Sequence, residues 1–306
     1  MHMRYLGGAV AYALLLVLFP HIQAQGAEDL ASQVARAEKN TVIELSGDVI
    51  AGDELTNAHG AEITLRGIGE EPVRLYGLRL GSGTFYIDNA QLYPPVQAGE
   101  DGTALAIDGE ADVTLRQDAS ALGDVSLCSQ GEAWLRCYGD IAGTLNATAQ
   151  AGAQLQVVNP GTIGGLSLRA SNAFLTCANT GVVESGAYLS VSGEDGGITL
   201  MNAQDASLRG GVICRATAYR GAYAAVTVEN EGQIHGGVKA AGTVVLVDYG
   251  AVGGGIHTRL GERAEGFVYV YLPRVQPDTP RARARACHTA YKRYQADPRD
   301  ICFRFE

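Results

Sequence analysis

The sequence predicts an all-β protein, a right-handed parallel β-helix in which short strands wind into one long apolar core. The composition, an internal repeat and an amphipathic helix ahead of the first strand all indicate this fold. The 306 residues include 40 glycines but only one tryptophan, and 18% of the residues are charged. That balance favours tight turns between short apolar segments over long amphipathic helices.

Apolar-x-apolar triplets recur along the chain in two interleaved series. The triplets begin at Leu105, Val125, Leu145 and Leu166 in the first series and at Val113, Leu135, Leu155 and Leu175 in the second. Because alternate side chains of a strand point to opposite faces, each triplet turns two side chains toward a core. A coil of about 20 residues therefore supplies at least two strands, so residues 40–272 would form a β-helix of about 11 or 12 coils.

Two other β architectures also use short strands. A β-sandwich alternates apolar and polar residues in the same way, but it has no reason to hold two interleaved registers of about 20 residues. A left-handed hexapeptide solenoid requires a strict hexapeptide repeat, which the sequence lacks. The parallel β-helix is therefore the preferred fold.

Turn phrases that begin with asparagine separate several of the triplets, and they start at Asn159, Asn179 and Asn230. Each phrase continues through a glycine to an aliphatic residue that re-enters the core. Asparagine and glycine tolerate left-handed backbone better than other residues do. We therefore expect left-handed turns at these corners.

An amphipathic helix is predicted over residues 27–39, with Leu30 and Val34 on its apolar side. It leads directly into the first strand, so it can cover the open apolar end of the first coil. This arrangement resembles the pectate-lyase-like superfamily of right-handed β-helices, in which such a helix feeds the first strand, and residues 63–69 look like that family's second coil. The asparagine turn phrases are similar to those of autotransporter passenger domains and other adhesin solenoids.

Residues 1–26 have the pattern of a secretory signal peptide. Arg4 precedes an apolar run over residues 9–19, and small residues follow at Ala24, Gly26 and Ala27. The run is shorter than the roughly 20 residues that a membrane span needs. We expect cleavage near residues 24–27, no stable membrane span afterwards, and a secreted or cell-surface protein. A periplasmic location and an uncleaved anchor are the alternatives.

Charge is distributed unevenly along the chain. The formal net charge is −10, and residues 281–306 hold seven basic and three acidic side chains, so residues 1–280 carry −14. An acidic body repels phosphate, which argues against nucleic acid as a partner. Residues 273–280 contain three prolines and read as a stiff linker. The basic tail over residues 281–306 is expected either to dock against an anionic surface or the acidic body, or to remain a solvated extension.

The catalytic motifs of the superfamily are absent from the sequence. Pectate lyases carry a Trp-Ile-Asp-His phrase, whereas the only tryptophan here, Trp134, precedes Leu-Arg-Cys. The Asn-Thr-Asp, Asp-Asp and Gly-His-Gly phrases of polygalacturonases do not occur either. A binding protein for adhesion to a glycan or matrix is therefore favoured over an enzyme. The alternative is a divergent polysaccharide lyase or glycoside hydrolase that acts on an acidic polysaccharide, for which the fold alone argues.

The best catalytic candidates are Asp108, Asp112 and Asp118 together with Arg116. Coils of about 20 residues could gather these carboxylates on one face, and oxygen-rich clusters bind Ca²⁺. A calcium ion beside an arginine could bind or deprotonate an acidic sugar. The plainer interpretation is that these aspartates cap turns and keep the outside polar.

Four tyrosines are the candidate binding residues: Tyr76, Tyr86, Tyr93 and Tyr138. Tyrosine rings suit wet interfaces and can form a platform on which sugar rings stack. The expected partner is therefore a polysaccharide or a cell-envelope surface. The sequence does not determine the oligomeric state.

Cysteine positions allow two predictions, although the state of Cys128 and Cys214 stays open. The triplet register places Cys137 and Cys177 at the same inward site two coils apart, about 9.6 Å between Cα atoms, which is too far for a disulfide. Cys287 and Cys302 flank a short segment of the tail. A bridge there would close a loop of about 15 residues and contribute about 3 kcal/mol.

Two histidines, His235 and His257, lie 22 residues apart in turns of similar sequence. That spacing is close to one coil, so we expect the two side chains either to stack in adjacent coils or to serve as ordinary turn residues. A stacked pair could hold a metal ion or respond to pH. Two ligands alone do not make a metal site, which favours the second interpretation.

Overall fold

A computed structural model describes residues 21–24, 27–96, 102–258, 268–299 and 301–305. Within these residues the chain forms a parallel β-helix of about 10 turns, with about 22 residues per turn and two α-helices. The predicted fold class is therefore confirmed. The number of turns is somewhat below the expected 11 or 12, because the turns are longer than expected.

Strands numbered in chain order stack into three faces, which we call A, B and C. Face A contains β1 His21–Ala24, β2 Thr41–Leu45, β5 Glu62–Gly67, β8 Gly83–Asp88, β11 Ala111–Leu115, β14 Glu132–Cys137, β16 Gln154–Asn159, β18 Phe174–Asn179, β25 Val244–Asp248, β28 Val268–Tyr271 and β29 Ile301–Arg304. Face B contains β3 Val49–Ile50, β6 Val73–Tyr76, β9 Ala90–Tyr93, β12 Ser120–Ala121, β19 Val182–Val183, β21 Ser207–Leu208, β23 Gln233–Ile234 and β26 Ala251–Val252. Face C contains β4 Glu54–Leu55, β7 Leu78–Leu80, β10 Thr103–Asp108, β13 Asp124–Ser129, β24 Val238–Ala241 and β27 Ile256–Thr258.

Four long strands pass around a corner of the coil and belong to two faces each. Strands β15 Ile141–Gln150 and β17 Thr162–Ser171 join faces B and C, and strands β20 Ala187–Asn202 and β22 Val212–Asn230 join faces C and A. Every strand pairing is parallel. The coils therefore stack in one direction, and equivalent side chains of successive coils lie above one another.

The first triplet series has the predicted register. Leu105 pairs with Val125, Val125 with Leu145, and Leu145 with Leu166. All four side chains are almost completely buried. Burial of a Val or Leu side chain contributes about 1.5–3 kcal/mol, so columns like this one supply most of the stabilisation of the solenoid.

The second triplet series slips by two residues after its first step. Val113 pairs with Leu135 as predicted, but Leu135 pairs with Val157 instead of Leu155. The extra residues lie at the corner, where Ala151 (φ 53°) and Gly152 (φ 88°) have left-handed backbone. A slip of two residues leaves every side chain on its own face, so the alternation cannot reveal it.

Left-handed turns at the asparagine phrases were the wrong prediction, because Asn159, Asn179 and Asn230 are not among the described residues with positive φ. The glycines in these turns have a different role. A Cβ added to Gly181 would lie 2.0 Å from the carbonyl oxygen of Gly161, the equivalent residue one coil below. Glycine is therefore required because stacked turns approach each other too closely for a side chain.

The asparagines of these phrases form a buried ladder through the solenoid, together with Asn202 of β20. The side-chain amide of Asn159 donates to Asn179 at 2.8 Å, that of Asn179 to Asn202 at 2.9 Å, and that of Asn202 to Asn230 at 2.8 Å. Asn230 then donates to the carboxylate of Asp248 at 2.7 Å. Each rung satisfies an amide that would otherwise be buried without a partner.

The N-terminal end of the solenoid is covered by helix α1, Ala27–Arg36, which confirms the predicted capping helix. Leu30 and Val34 are fully buried against the first coil. The side-chain amide of Asn57 donates to the carbonyl oxygens of Val34 at 2.7 Å and Ala37 at 2.8 Å. These bonds satisfy free carbonyls at the end of the helix and fix it on the coil.

The C-terminal end is covered by helix α2, Pro280–Arg293, so the basic tail is folded and the solvated extension is the wrong alternative. Thr279 caps the helix by accepting from the amide of Ala282 at 3.1 Å. Ala290 and Tyr294 are buried against the last coils. The hydroxyl of Tyr294 donates to Asp248 at 2.5 Å, which joins the cap to the end of the asparagine ladder.

Most of the predicted signal peptide, residues 1–20 with residues 25 and 26, lies outside the described residues. The described part of that segment, β1, pairs in parallel with β2. Neither α1 nor α2 has the length and apolar character that a membrane crossing requires.

Candidate functional site

The outer surface of face A carries the candidate site where β8, β11 and β14 stack. Tyr86 of β8 pairs with Thr114 of β11, and Thr114 pairs with Arg136 of β14. Strand alternation turns all three side chains away from the core, while their neighbours Phe85 and Leu135 are fully buried. The solenoid thus fixes polar and aromatic groups from three coils side by side.

A buried carboxylate organises the cationic groups of the site. The Asp88 side chain is only 12% exposed and accepts from Arg66 at 2.9 Å and from Arg116 at 3.1 Å. Two guanidinium groups therefore converge on one carboxylate at this surface. Because both guanidiniums are held by charge-assisted hydrogen bonds, they are oriented before any ligand arrives.

Aromatic rings lie beneath two of the arginines. The Arg116 guanidinium lies 5.3 Å from the centroid of the Tyr86 ring, and the Arg136 guanidinium lies 4.9 Å from that of Trp134. Arg136 also pairs with Asp112. Cation–π contacts of this kind help to hold the two guanidinium groups in place over the rings.

The Tyr86 hydroxyl is kept neutral by its surroundings. Partial burial, followed by the charges of Glu62 and Asp112, raises the pKa of Tyr86, although Arg136 and Arg116 oppose the shift. A neutral phenol both donates and accepts hydrogen bonds. Tyr86 can therefore bind a hydroxyl-bearing ligand through its ring and through its polar tip.

These side chains border a shallow groove with a volume of about 600 Å³ that is open to solvent. The groove is lined by Tyr86, Asp88, Thr114, Arg116, Gln117, Asp118 and Tyr138. Tyr138 is 51% exposed and offers its ring to an incoming molecule. Aromatic rings beside planar hydrogen-bonding groups are suited to sugar rings, which have apolar faces and polar edges.

The structure brings together some of the catalytic candidates and separates others. Arg116 and Asp118 line the groove, and Asp112 lies beside it in an ion pair with Arg136. Asp108 lies on face C, where it pairs with Arg79 at 3.4 Å. The carboxylates are therefore distributed over two faces of the solenoid.

The four candidate tyrosines form two pairs on different faces. Tyr86 and Tyr138 line the groove on face A. Tyr76 and Tyr93 stack on face B with ring centroids 5.2 Å apart. The four rings therefore do not form a single platform, and only Tyr86 and Tyr138 belong to the groove.

For the proposed calcium ion, the described residues contain no group of three His, Cys, Asp or Glu side chains arranged to hold a metal ion. Asp124, from the same acidic segment, accepts a hydrogen bond from the backbone amide of Thr144 at 2.8 Å. This carboxylate closes a turn, as the plainer interpretation expects.

All six cysteines are free thiols, so the predicted bridge between Cys287 and Cys302 is not formed in the structure. Both thiols are partly buried near Tyr291, and burial followed by these two neighbours raises the pKa of that tyrosine. Cys137 and Cys177 are unbonded as expected, but they do not share one inward site. Cys177 pairs with Val157, which pairs with Leu135, so Cys137 lies two residues further along its strand.

Complete burial makes the core thiols unreactive. It raises the pKa of Cys177 and of Cys214 to about 12 and that of Cys137 still further. A thiol that stays protonated is a poor nucleophile and a poor metal ligand. These three cysteines therefore act as small apolar core residues.

The stacking of His235 and His257 is the wrong alternative. Ile234 pairs with Val252, whereas His257 pairs with Lys239, so the two histidines occupy different corners of their coils. The coil from Ile234 to Val252 has 18 residues, whereas the two histidines are 22 residues apart. The His235 ring lies instead 3.1 Å from the hydroxyl of Ser207.

Several residues of the site were missed as site residues by the sequence analysis: Arg66, Asp88 and Trp134. Arg66 and Asp88 are 22 residues apart, as are Thr114 and Arg136, and both are paired positions of adjacent coils. That spacing was a usable signal, but only together with the correct coil register.

Comparison of the chain with protein-family models, with curated proteins and with solved structures finds no match.

Proposed function

We propose that this protein is a secreted or cell-surface β-helix of the pectate-lyase-like superfamily that binds a polysaccharide without cleaving it. The observation that carries this proposal is the groove on face A, in which two tyrosine rings and an oriented arginine surround a shallow open surface. The groove volume of about 600 Å³ falls within the usual range of small-ligand sites. Because the groove is open, a polymer could continue beyond it in either direction.

Charge suggests which polysaccharides to expect. Arg66 and Arg116 both bind the single carboxylate of Asp88, and the Arg116 side chain remains 43% exposed, so its guanidinium can also meet a carboxylate of a ligand. A guanidinium binds a carboxylate through two parallel hydrogen bonds. We therefore expect uronic acid polymers to bind more tightly than neutral polymers.

Cleavage is the second candidate function, and one observation favours it. Asp118 and Arg116 line the same groove, so a base and a cation would face the same sugar unit. Hydrolysis usually needs two carboxylates that flank the scissile bond. Here Asp88 and Asp112 are both engaged by arginines, which supports binding over hydrolysis.

The test is to incubate the purified protein with polygalacturonate, alginate and neutral dextran, with and without Ca²⁺. Retention on immobilised polymer measures binding, and new reducing ends or unsaturated products measure cleavage. We expect retention on the acidic polymers without new ends. We also expect Arg116→Ala to weaken binding by about tenfold, because it removes a charge-assisted contact.

The matched control is Arg79→Ala. Arg79 also lies in a surface ion pair, with Asp108, but on face C. It should leave binding unchanged. Equal weakening by both substitutions would contradict the placement of the site in the groove. New reducing ends that disappear when Asp118 is changed would show that the protein cleaves the polymer, against the proposal of binding alone.

A further inference from the structure

Helix α2 carries a stripe of basic side chains on its solvent side. The stripe consists of Arg281, Arg285, His288 and Lys292, all of which are exposed. Their spacing of four, three and four residues places them on one line along the helix. Ala290 and Tyr294, which are buried in the end of the solenoid, lie on the opposite side. The stripe therefore faces away from the protein.

These charges have no acidic partner in the part of the chain that the structure describes. The ion pairs formed by described residues involve neither Arg281, Arg285 nor Lys292. The first turn of α2 contains no acidic residue. The stripe is therefore an open cationic surface at one end of an acidic solenoid.

The N-terminal half of the stripe does not serve the stability of the helix, although Lys292 in the last turn favours it. A positive charge in the first turn opposes the helix dipole, and like charges four residues apart repel each other. Arg281 and Arg285 introduce both effects at once. The capping function resides in the opposite side of α2, where Tyr294 binds Asp248. A binding role explains why basic residues occupy positions that are unfavourable for the helix itself.

We propose that this stripe is a binding site for a linear anionic polysaccharide, separate from the groove on face A. The four positions extend over about 16 Å of helix, with successive charges about 4.5–6 Å apart along the axis. A chain of sugars that carry carboxylate or sulfate groups presents anions in a similar row. Contacts of this type are electrostatic, so they weaken as salt is added.

A lipid surface fits the stripe less well. Helices that bind membranes bury an apolar side with large residues such as Leu, Phe or Trp between the headgroups. In α2 the apolar side is already packed on the solenoid through Ala290 and Tyr294. The side that remains exposed offers charge without an apolar anchor.

The experiment compares two charge-matched variants of the full-length protein. In the stripe variant, Arg281, Arg285, His288 and Lys292 are changed to Gln. In the control variant, Arg74, Arg79 and Arg209 of the solenoid body are changed to Gln, which removes three positive charges, as the stripe variant does when histidine is counted as neutral. Circular dichroism and thermal unfolding confirm that both variants fold. A loss of binding that occurs only in the stripe variant is then due to where the removed charges lie and not to the change in net charge.

Affinity is measured for dextran sulfate, polygalacturonate, neutral dextran and vesicles of phosphatidylcholine with phosphatidylglycerol. The unmodified protein should bind at least one anionic polymer, and the stripe variant should bind it at least about tenfold more weakly, with loss of most of the salt dependence. The control variant should retain the salt-dependent binding that the stripe variant loses, whereas Tyr86→Ala should weaken only the part of the binding that the groove supplies. The polymer that binds identifies the anion as sulfate or carboxylate.

Three results would overturn the proposal. Equal losses in the stripe and control variants would assign the effect to net charge. Binding of anionic vesicles without binding of either anionic polymer would make the partner a membrane. A stripe variant that binds both anionic polymers as tightly as the unmodified protein would leave the helix without this role. Because the groove is tested by Tyr86→Ala, its failure as a site would be seen separately.

Discussion

Single side chains on face A decide what the groove offers to a ligand. Asp88 fixes Arg66 and Arg116 by hydrogen bonds, and Tyr86 supports Arg116 from below. These contacts exist without a ligand, so little side-chain freedom is lost when one binds. The same number of arginines on flexible loops would bind more weakly.

The buried asparagines of the ladder contribute to the stability of the fold in the way that the face A side chains contribute to binding. We expect Asn179→Ala to destabilise the protein by about 2–4 kcal/mol, because it removes two ladder bonds and leaves the Asn159 amide and the Asn202 carbonyl buried without partners. Urea unfolding measures the loss. Asn146→Ala is the control, since Asn146 is a half-exposed residue on the outside of β15 and should change stability by no more than about 0.5 kcal/mol. Equal effects of the two changes would contradict a stabilising ladder.

Tyr294 makes the C-terminal cap sensitive to alkaline pH. Burial, then the hydrogen bond to Asp248 and its charge, raises the pKa of Tyr294 above the ordinary tyrosine value. The folded state therefore favours the protonated phenol, and this contribution is complete below about pH 10 and is lost as pH rises above it. Tyr294→Phe should remove this part of the alkaline loss. Unfolding free energies measured across that pH range in both proteins test the difference, and parallel curves would contradict the assignment.

At the scale of secondary-structure elements, the local sequence pattern predicted the strands and the capping helix better than it predicted the turns at the corners of the coils. The first triplet series and the capping helix were predictable because alternation and a short apolar stripe are local signals. The register of Leu135 was not, since two residues added at a corner leave the alternation unchanged. Arg66 and Asp88 lie in β5 and β8, earlier coils for which the sequence analysis gave no register, so their pairing was not predicted.

Docking of the tail against the acidic body was one of two alternatives that the sequence left open, and the sequence could not decide between them. The residues that anchor the tail are distant in sequence. Tyr294 and Asp248 are 46 residues apart. Nothing in the local pattern connects the two. A basic, proline-preceded tail is equally typical of a solvated extension.

Stacked turns explain why glycine is needed at corners. We expect Gly181→Ala to cost about 1–3 kcal/mol or more, because the new methyl group would overlap the Gly161 carbonyl one coil below. Gly52→Ala is the matched control. It meets no atom within 4 Å and should have little effect or stabilise slightly. Thermal unfolding compares the two, and equal midpoints would contradict the close stacking of the turns.

The whole molecule is a solenoid closed by a helix at each end, with a groove on face A and a basic stripe on the C-terminal cap. Among the described residues, the basic stripe is an open cationic surface on a chain whose residues 1–280 carry a formal charge of −14. We propose that the apolar run over residues 9–19 directs the export of the protein. Leu15→Arg should block secretion, because a charge within that run is costly to insert. Leu15→Ile is the control, and normal secretion of the arginine variant would contradict the signal peptide.

The most direct test of the groove uses the only tryptophan of the chain. Trp134 lies under Arg136 on the outer surface of β14, beside the groove, so its fluorescence reports on this surface alone. Titration with oligogalacturonate should produce a saturable change in emission, which Arg116→Ala shifts to about tenfold higher ligand concentration and Arg79→Ala leaves in place. Binding detected by calorimetry without any change in Trp134 emission, and without an effect of Arg116→Ala, would contradict the groove as the polysaccharide site.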